Sequence, residues 1–211
     1  MSDTGWKSAG TGSGLTNSSN ITSSNDTYAT ASHTFTEYNY AYETLDATNF
    51  GFEIPVGATI IGVQMRVEGS KDASGGVIMY EDGSYDGPAL KGVTGSTDGD
   101  VGVPDTEAYQ LFPLGSSEND LWGATIGVSD VNDSSFGVSI PFSFSGESET
   151  IDLSVDNVQM KVFYEPLNTG WVSPGTTSES GSGEAWTDEN EVKDDDTDFA
   201  YAVVGSAKMP I

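Results

Sequence analysis

The chain has 211 residues, enough for one large domain or one domain and part of a second. Its 33 acidic residues against 7 Lys and Arg give a formal charge of −26, which sets it against nucleic-acid phosphates and anionic membrane surfaces as partners. Only 36 % of residues are apolar, yet 9 Phe, 9 Tyr and 4 Trp supply a core, while 26 Gly and no Cys suit short strands and turns without disulfides.

Such charge repels itself, and salt screens that repulsion over about 8–10 Å at physiological ionic strength and over shorter distances in brine. Two readings fit: a high-salt habitat, or an ordinary acidic surface protein. Under the first, the melting temperature is expected to rise steeply between low and molar salt; a flat melting temperature across that range would remove it. No apolar run approaches the ~20 residues of a membrane span. The opening residues, Met-Ser-Asp-Thr-Gly-Trp, lack the basic and apolar regions of a secretory signal. That fits a virus released by lysis, and an intracellular protein as well.

In chain order, Tyr38, Tyr40 and Tyr42 share one side of a predicted strand. They read either as a core face or as an aromatic platform for sugar rings or a protein partner. Phe50, Phe52 and Ile54 alternate in a short strand. Residues 59–68 place Ile61, Val63, Met65 and Val67 on one side. An Asp-Gly hairpin signal follows at 81–84. Within 129–135 a helical turn is expected, with Ser129 as its N-cap.

The alternation is cleanest at 136–145, where Phe136, Val138, Ile140, Phe142 and Phe144 oppose Gly137, Ser139, Pro141, Ser143 and Ser145. Pro141 has no N–H to give a ladder, which predicts an edge strand or a bulge. From 151 to 164 the apolar residues change parity at Asp156-Asn157, which predicts a bulge or a strand corner. Strands at this spacing, without alternating helices, give an all-β fold: an antiparallel β-sandwich.

The chain also repeats. TGWKSAGT at 4–11 returns as TGWVSPGT at 169–176, and 15–31 aligns without gaps to 186–202. This predicts a complete sandwich module over 1–166 and an incomplete second copy over 167–211. The second copy carries too much apolar surface to stay wet; it is expected to pack on another subunit, the alternatives being docking on the first module or continuation into further sequence.

Trp6 with NDTYATA at 25–31, the block 47–69 with NFGF and IPVGATIIG, DLWG at 120–123, 128–140 and 155–165 follow one another in a set order. Together they resemble a β-sandwich module of tailed-virus structural proteins such as fibre, turret, baseplate and decoration proteins. The resemblance implies a jelly-roll-like sandwich and a structural or adhesive role. It implies a virion protein on the head or tail exterior, associating with itself and with other virion proteins. The alternative is a glycan-binding adhesin of a viral or cellular surface.

Residues for chemistry are sparse. A catalytic triad would need the single histidine, His33, which reads as a structural strand residue. A His-based zinc site is ruled out by count, and one arginine, Arg66, with no phosphate-binding loop gives phosphate chemistry no support. No enzyme is expected. Trp6 and Trp122 read as inter-sheet core or strand-closing residues. Calcium is the one cofactor considered, at Asp194, Asp195, Asp196 and Asp198 or at Asp98 and Asp100. A solvated acidic loop is the plainer reading of both runs.

Overall fold

The computed structural model describes residues 1–72, 75–79, 87–96, 101–111 and 117–167, and two short strands near the C-terminus. The chain divides into two compact units, Met1–Leu167 and Asn168–Ile211.

The first unit is an antiparallel sandwich of two sheets. One sheet centres on the pair β6 (Thr59–Asp72) and β12 (Thr150–Glu165). The other side of β12 is shared by three short strands in succession: β1 (Ser2–Asp3), β2 (Lys7–Ser8) and β4 (Ala29–Thr34). Beyond β6 lies β10 (Ala108–Leu111). The second sheet centres on β11 (Gly137–Gly146), paired along its length with β5 (Asn39–Thr48). On its other side β11 meets β7 (Gly76–Met79) and β8 (Ala89–Lys91). The margins are β3 (Thr11–Ser13) and β9 (Val101–Gly102).

The inward faces follow the period of two. Phe136, Val138, Ile140, Phe142 and Phe144 are all buried, as are Ile151, Leu153 and Val155 and, with the other parity, Val158, Met160 and Val162. Each large apolar side chain so placed stabilises the fold by roughly 1.5–3 kcal/mol relative to exposure. The change of parity is a bulge: Val155 pairs with Gly69 and Asn157 with Glu68, leaving Asp156 without an opposite residue.

Several local expectations need correction. Pro141 lies on a central strand, opposite Thr44 of β5. It is tolerated because β8 pairs with 137–139 and β7 with 142–145, so positions 140 and 141 have no ladder partner on that side. Of the residues opposing the core face, Gly137 and Ser143 are buried as well. Ser143 is covered because it lies between Tyr42 and Ile78 on the neighbouring strands.

Phe50, Phe52 and Ile54 are buried but form no strand. Positive φ at Asn49 (60°) and Gly51 (63°) breaks the ladder, and the Asn132 carboxamide substitutes for a neighbouring strand by bonding both the N–H and the C=O of Ile54 at 2.9 Å. In β6 the buried residue is Ile60 rather than Ile61, because a second register shift skips Ile61. The helical turn α1 (Val128–Val131) is capped two residues earlier than expected. Gly127 is its N-cap, and the Asp130 carboxylate accepts the Gly127 N–H at 2.8 Å.

Trp122 is buried in the core and also closes a strand. Its indole N–H donates to the Val63 carbonyl at 3.1 Å, while Val63 N–H donates to the Asp120 carbonyl at 2.8 Å. The 117–122 loop thereby covers the β6 edge where β10 has ended. Trp6, by contrast, is half-buried outside the core: it lies against the Arg66 guanidinium (4.4 Å to the ring centroid) and Lys161 (4.9 Å) on the outer face.

In the second unit, β13 (Tyr201–Val204) and β14 (Ala207–Pro210) form an antiparallel hairpin. The hairpin signal at 81–84, the acids Asp98 and Asp100, the run Asp194, Asp195, Asp196 and Asp198, and most of the repeated segment lie outside the described residues.

Candidate functional site

Strand β5 turns two different faces. Its odd residues Ala41, Leu45 and Ala47 join the core, and Glu43 meets His33 of β4 at the rim, Nε2 to Oε1 at 3.0 Å. The His33 ring stands edge-on to Phe144, with centroids 4.7 Å apart. A hydrogen bond thus links the two sheets, with the single histidine set between a carboxylate and a core ring.

The even residues therefore point outward, and the tyrosine row is no core face. Tyr38, Tyr40 and Tyr42 are 64 %, 49 % and 45 % exposed. Register explains the choice. Tyr42 is opposite Ser143 and Tyr40 is opposite Ser145, so the rings lie beside short side chains, while the even-numbered Phe142 and Phe144 fill the interior.

The row is a ridge. The Tyr38 and Tyr40 rings meet edge to face, centroids 5.4 Å apart at 79°, and their hydroxyls are hydrogen-bonded at 2.5 Å. Tyr40 and Tyr42 stand on β5, whereas Tyr38 lies in the bend just before it; its ring and hydroxyl contacts join it to Tyr40 as one amphipathic unit. The flank of β5 away from β11 is paired only at 46–48, by β3, among the described residues. A cavity of about 10 Å³ between the sheets, lined by Met79, Phe142 and Leu153 among others, contains none of these tyrosines.

A second cluster escaped the reading of the sequence: Asp26, Glu107 and Asp156 bring one carboxylate oxygen each to within 4.8 Å of one another. These residues come from a loop, the approach to β10 and the bulge in β12. Its sequence signal was the parity change at Asp156-Asn157, because a bulge turns two successive side chains to one face. The acids read from the sequence, at 194–198, lie outside the described residues.

No protein-family model, curated protein or solved structure matches this chain.

Proposed function

We propose that the chain is a non-enzymatic structural protein on the head or tail exterior of a tailed virus, acting in assembly, decoration or host attachment, with the tyrosine row as its contact face. The observation that carries this reading is a paired strand and the bend before it, which together present three tyrosines side by side to solvent. Tyrosines combine contact area, a hydroxyl and low conformational cost, and are enriched where proteins meet partners. The sequence resemblance set out above supplies the virion context, and a jelly-roll-like winding belongs to the same reading. Partners are other copies of the chain, other virion proteins and a host surface glycan; residues 167–211 pack on another subunit.

The alternative is a glycan-binding adhesin, which the same exposed aromatic row favours. Sugar stacking uses an open ring face, whereas the perpendicular Tyr38–Tyr40 pair makes a ridge better suited to a groove on a protein.

A triple variant, Tyr38→Ser/Tyr40→Ser/Tyr42→Ser, separates these readings. These positions are exposed, so the variant should fold with little loss of stability, about 0.5 kcal/mol per site. The expected result is a smaller oligomer mass by analytical ultracentrifugation, and peptides of the wild-type chain in density-purified particles. Loss of glycan-array binding at unchanged mass would establish the adhesin instead. Unchanged mass together with unchanged glycan binding would overturn the role of the row.

A further inference from the structure

The doubled position in β12 has an unusual content, an aspartate and an asparagine. With Val155 and Val158 both inward, Asp156 and Asn157 both turn to the outer face of the sheet. Glu68 is opposite Asn157 on one side and opposite Tyr109 of β10 on the other. Glu107 lies just before β10, where its carboxylate accepts the Tyr28 hydroxyl at 3.1 Å.

Onto this face folds the loop before β4. The N–H groups of Asn25 and Thr27 donate to the two Asp156 oxygens, at 2.9 and 3.2 Å. Asp26 lies between them in a left-handed conformation (φ 58°) and adds its carboxylate to those of Glu107 and Asp156. Among the described residues no lysine or arginine forms an ion pair with these three acids. Arg66, the nearby cation on β6, is held between the Trp6 and Tyr109 rings and donates to Gln159 Oε1 at 2.7 Å.

A separate observation points to a ligand. Among the described residues, the buried side-chain polar atoms without a hydrogen-bond partner are Glu68 Oε2, Glu107 Oε1 and Asn157 Oδ1. All three are oxygens, and all three belong to this one face. Asn157 is 1 % exposed. Its amide nitrogen is turned to Ser8 Oγ (3.2 Å) and Tyr109 Oη (3.4 Å), leaving its oxygen without a donor beside Asp156. Buried acceptors are almost always satisfied, so three on the face that carries the converging carboxylates point to a partner that the described residues do not supply. A cation meets that need; a further hydrogen-bond acceptor cannot.

We propose that Asp26, Glu107 and Asp156 bind a calcium ion on the outer face of the sheet, bordered by the unpartnered oxygens of Glu68 and Asn157. The donors are all oxygen, which selects a hard cation over zinc or copper. Oxygens within 4.8 Å of one another can share a single shell of about 2.4 Å radius, the calcium distance, and calcium accepts irregular carboxylate shells where magnesium dehydrates reluctantly. The local electrostatics agree. Burial raises the Glu107 carboxyl above its usual range, the Tyr28 hydroxyl bonded to it opposes that, and the Asp156, Asp26 and Glu68 charges add to the rise. A bound cation would reverse the effect of those charges. The ion would pin the 22–28 loop to the bulge.

The test uses the full chain, stripped with chelator and then titrated with CaCl₂ at constant ionic strength, reading calorimetric binding and melting temperature. One strong site is expected, with a dissociation constant of about 10⁻⁴–10⁻³ M or tighter, a rise in melting temperature, and a much smaller response to MgCl₂. Glu107→Gln should fold and, without calcium, melt no lower than wild type, because it removes one of several crowded charges. It should weaken calcium binding at least tenfold. The variant Asp194→Asn/Asp195→Asn/Asp196→Asn/Asp198→Asn should retain the full response. The proposal is overturned if wild type shows no calcium response beyond the magnesium control, if Glu107→Gln responds like wild type, or if the response disappears with the 194–198 acids.

Discussion

Phe142→Ala should lower the free energy of unfolding by about 3–5 kcal/mol, the range for truncating a fully buried aromatic ring. Phe142 is 1 % exposed on the central strand of its sheet, opposite Met79 on one side and Glu43 on the other. It also lines the small inter-sheet cavity, beside Val67, Val103, Leu153 and Val155. Removing the ring enlarges an existing void instead of opening one that neighbours can fill, which puts the cost towards the upper end. Urea denaturation checks this, with Ser145→Ala on the same strand as reference. Ser145 turns outward beside Tyr40, and its truncation should stay within about 0.5 kcal/mol. Equal costs at the two positions would contradict the assigned faces of β11.

Trp122→Ala should be as damaging, about 3–5 kcal/mol from the lost ring, and should damage in a second way. The Trp122 indole is the donor to the Val63 carbonyl, and Gly62 lies so close under the same loop that an added Cβ would be 2.2 Å from the Glu118 carbonyl. Without the indole the loop keeps, of its two bonds to Val63, only the one from the Val63 N–H to the Asp120 carbonyl, and the part of β6 that it shields is more open as a strand edge, a template for pairing between chains. The variant should therefore unfold earlier and also scatter light on warming, whereas Phe142→Ala should only unfold earlier. Trp122→Phe isolates the hydrogen bond: it restores most of the volume and leaves the Val63 carbonyl short of a donor, at about 1–3 kcal/mol. If Trp122→Phe matches wild type, the indole N–H contributes nothing to the edge.

These two residues differ in how much the sequence discloses about them. The burial of Phe142 follows from period two within one strand, which needs no knowledge of its neighbours. The parity change in β12 is local in the same way, and predicted the bulge. The direction of the tyrosine row was not local. It depends on β5 pairing with β11, where Ser143 and Ser145 lie opposite Tyr42 and Tyr40, and the small inward residues Ala41 and Ala47 lie opposite Phe144 and Val138. Read alone, three tyrosines outweigh two alanines, and the plain choice of core face is the reverse of what is found. Phe50 to Ile54 failed for another reason: alternation survives in an extended segment even when positive φ at Asn49 and Gly51 prevents a ladder. The acidic cluster lay furthest out of reach, since Asp26, Glu107 and Asp156 meet only once two strands and a loop are in place.

The bulge in β12 has a consequence for chain length. Taking Asp156 out of the sequence leaves Val155, Asn157 and Val158 in unbroken alternation, with Gly69, Glu68 and Val67 already opposite them in continuous register. The sheet has no need of the residue, although a one-residue deletion elsewhere in a strand turns every side chain beyond it to the wrong face. β12 thus has the geometry of a regular strand with one extra residue, and that residue supplies the carboxylate to which the 22–28 loop is tied. A related chain shorter by this one position would keep the sandwich and have no acidic pocket. Among such relatives, the count of residues between Val155 and Val158, more than any resemblance in composition, would tell the two kinds apart.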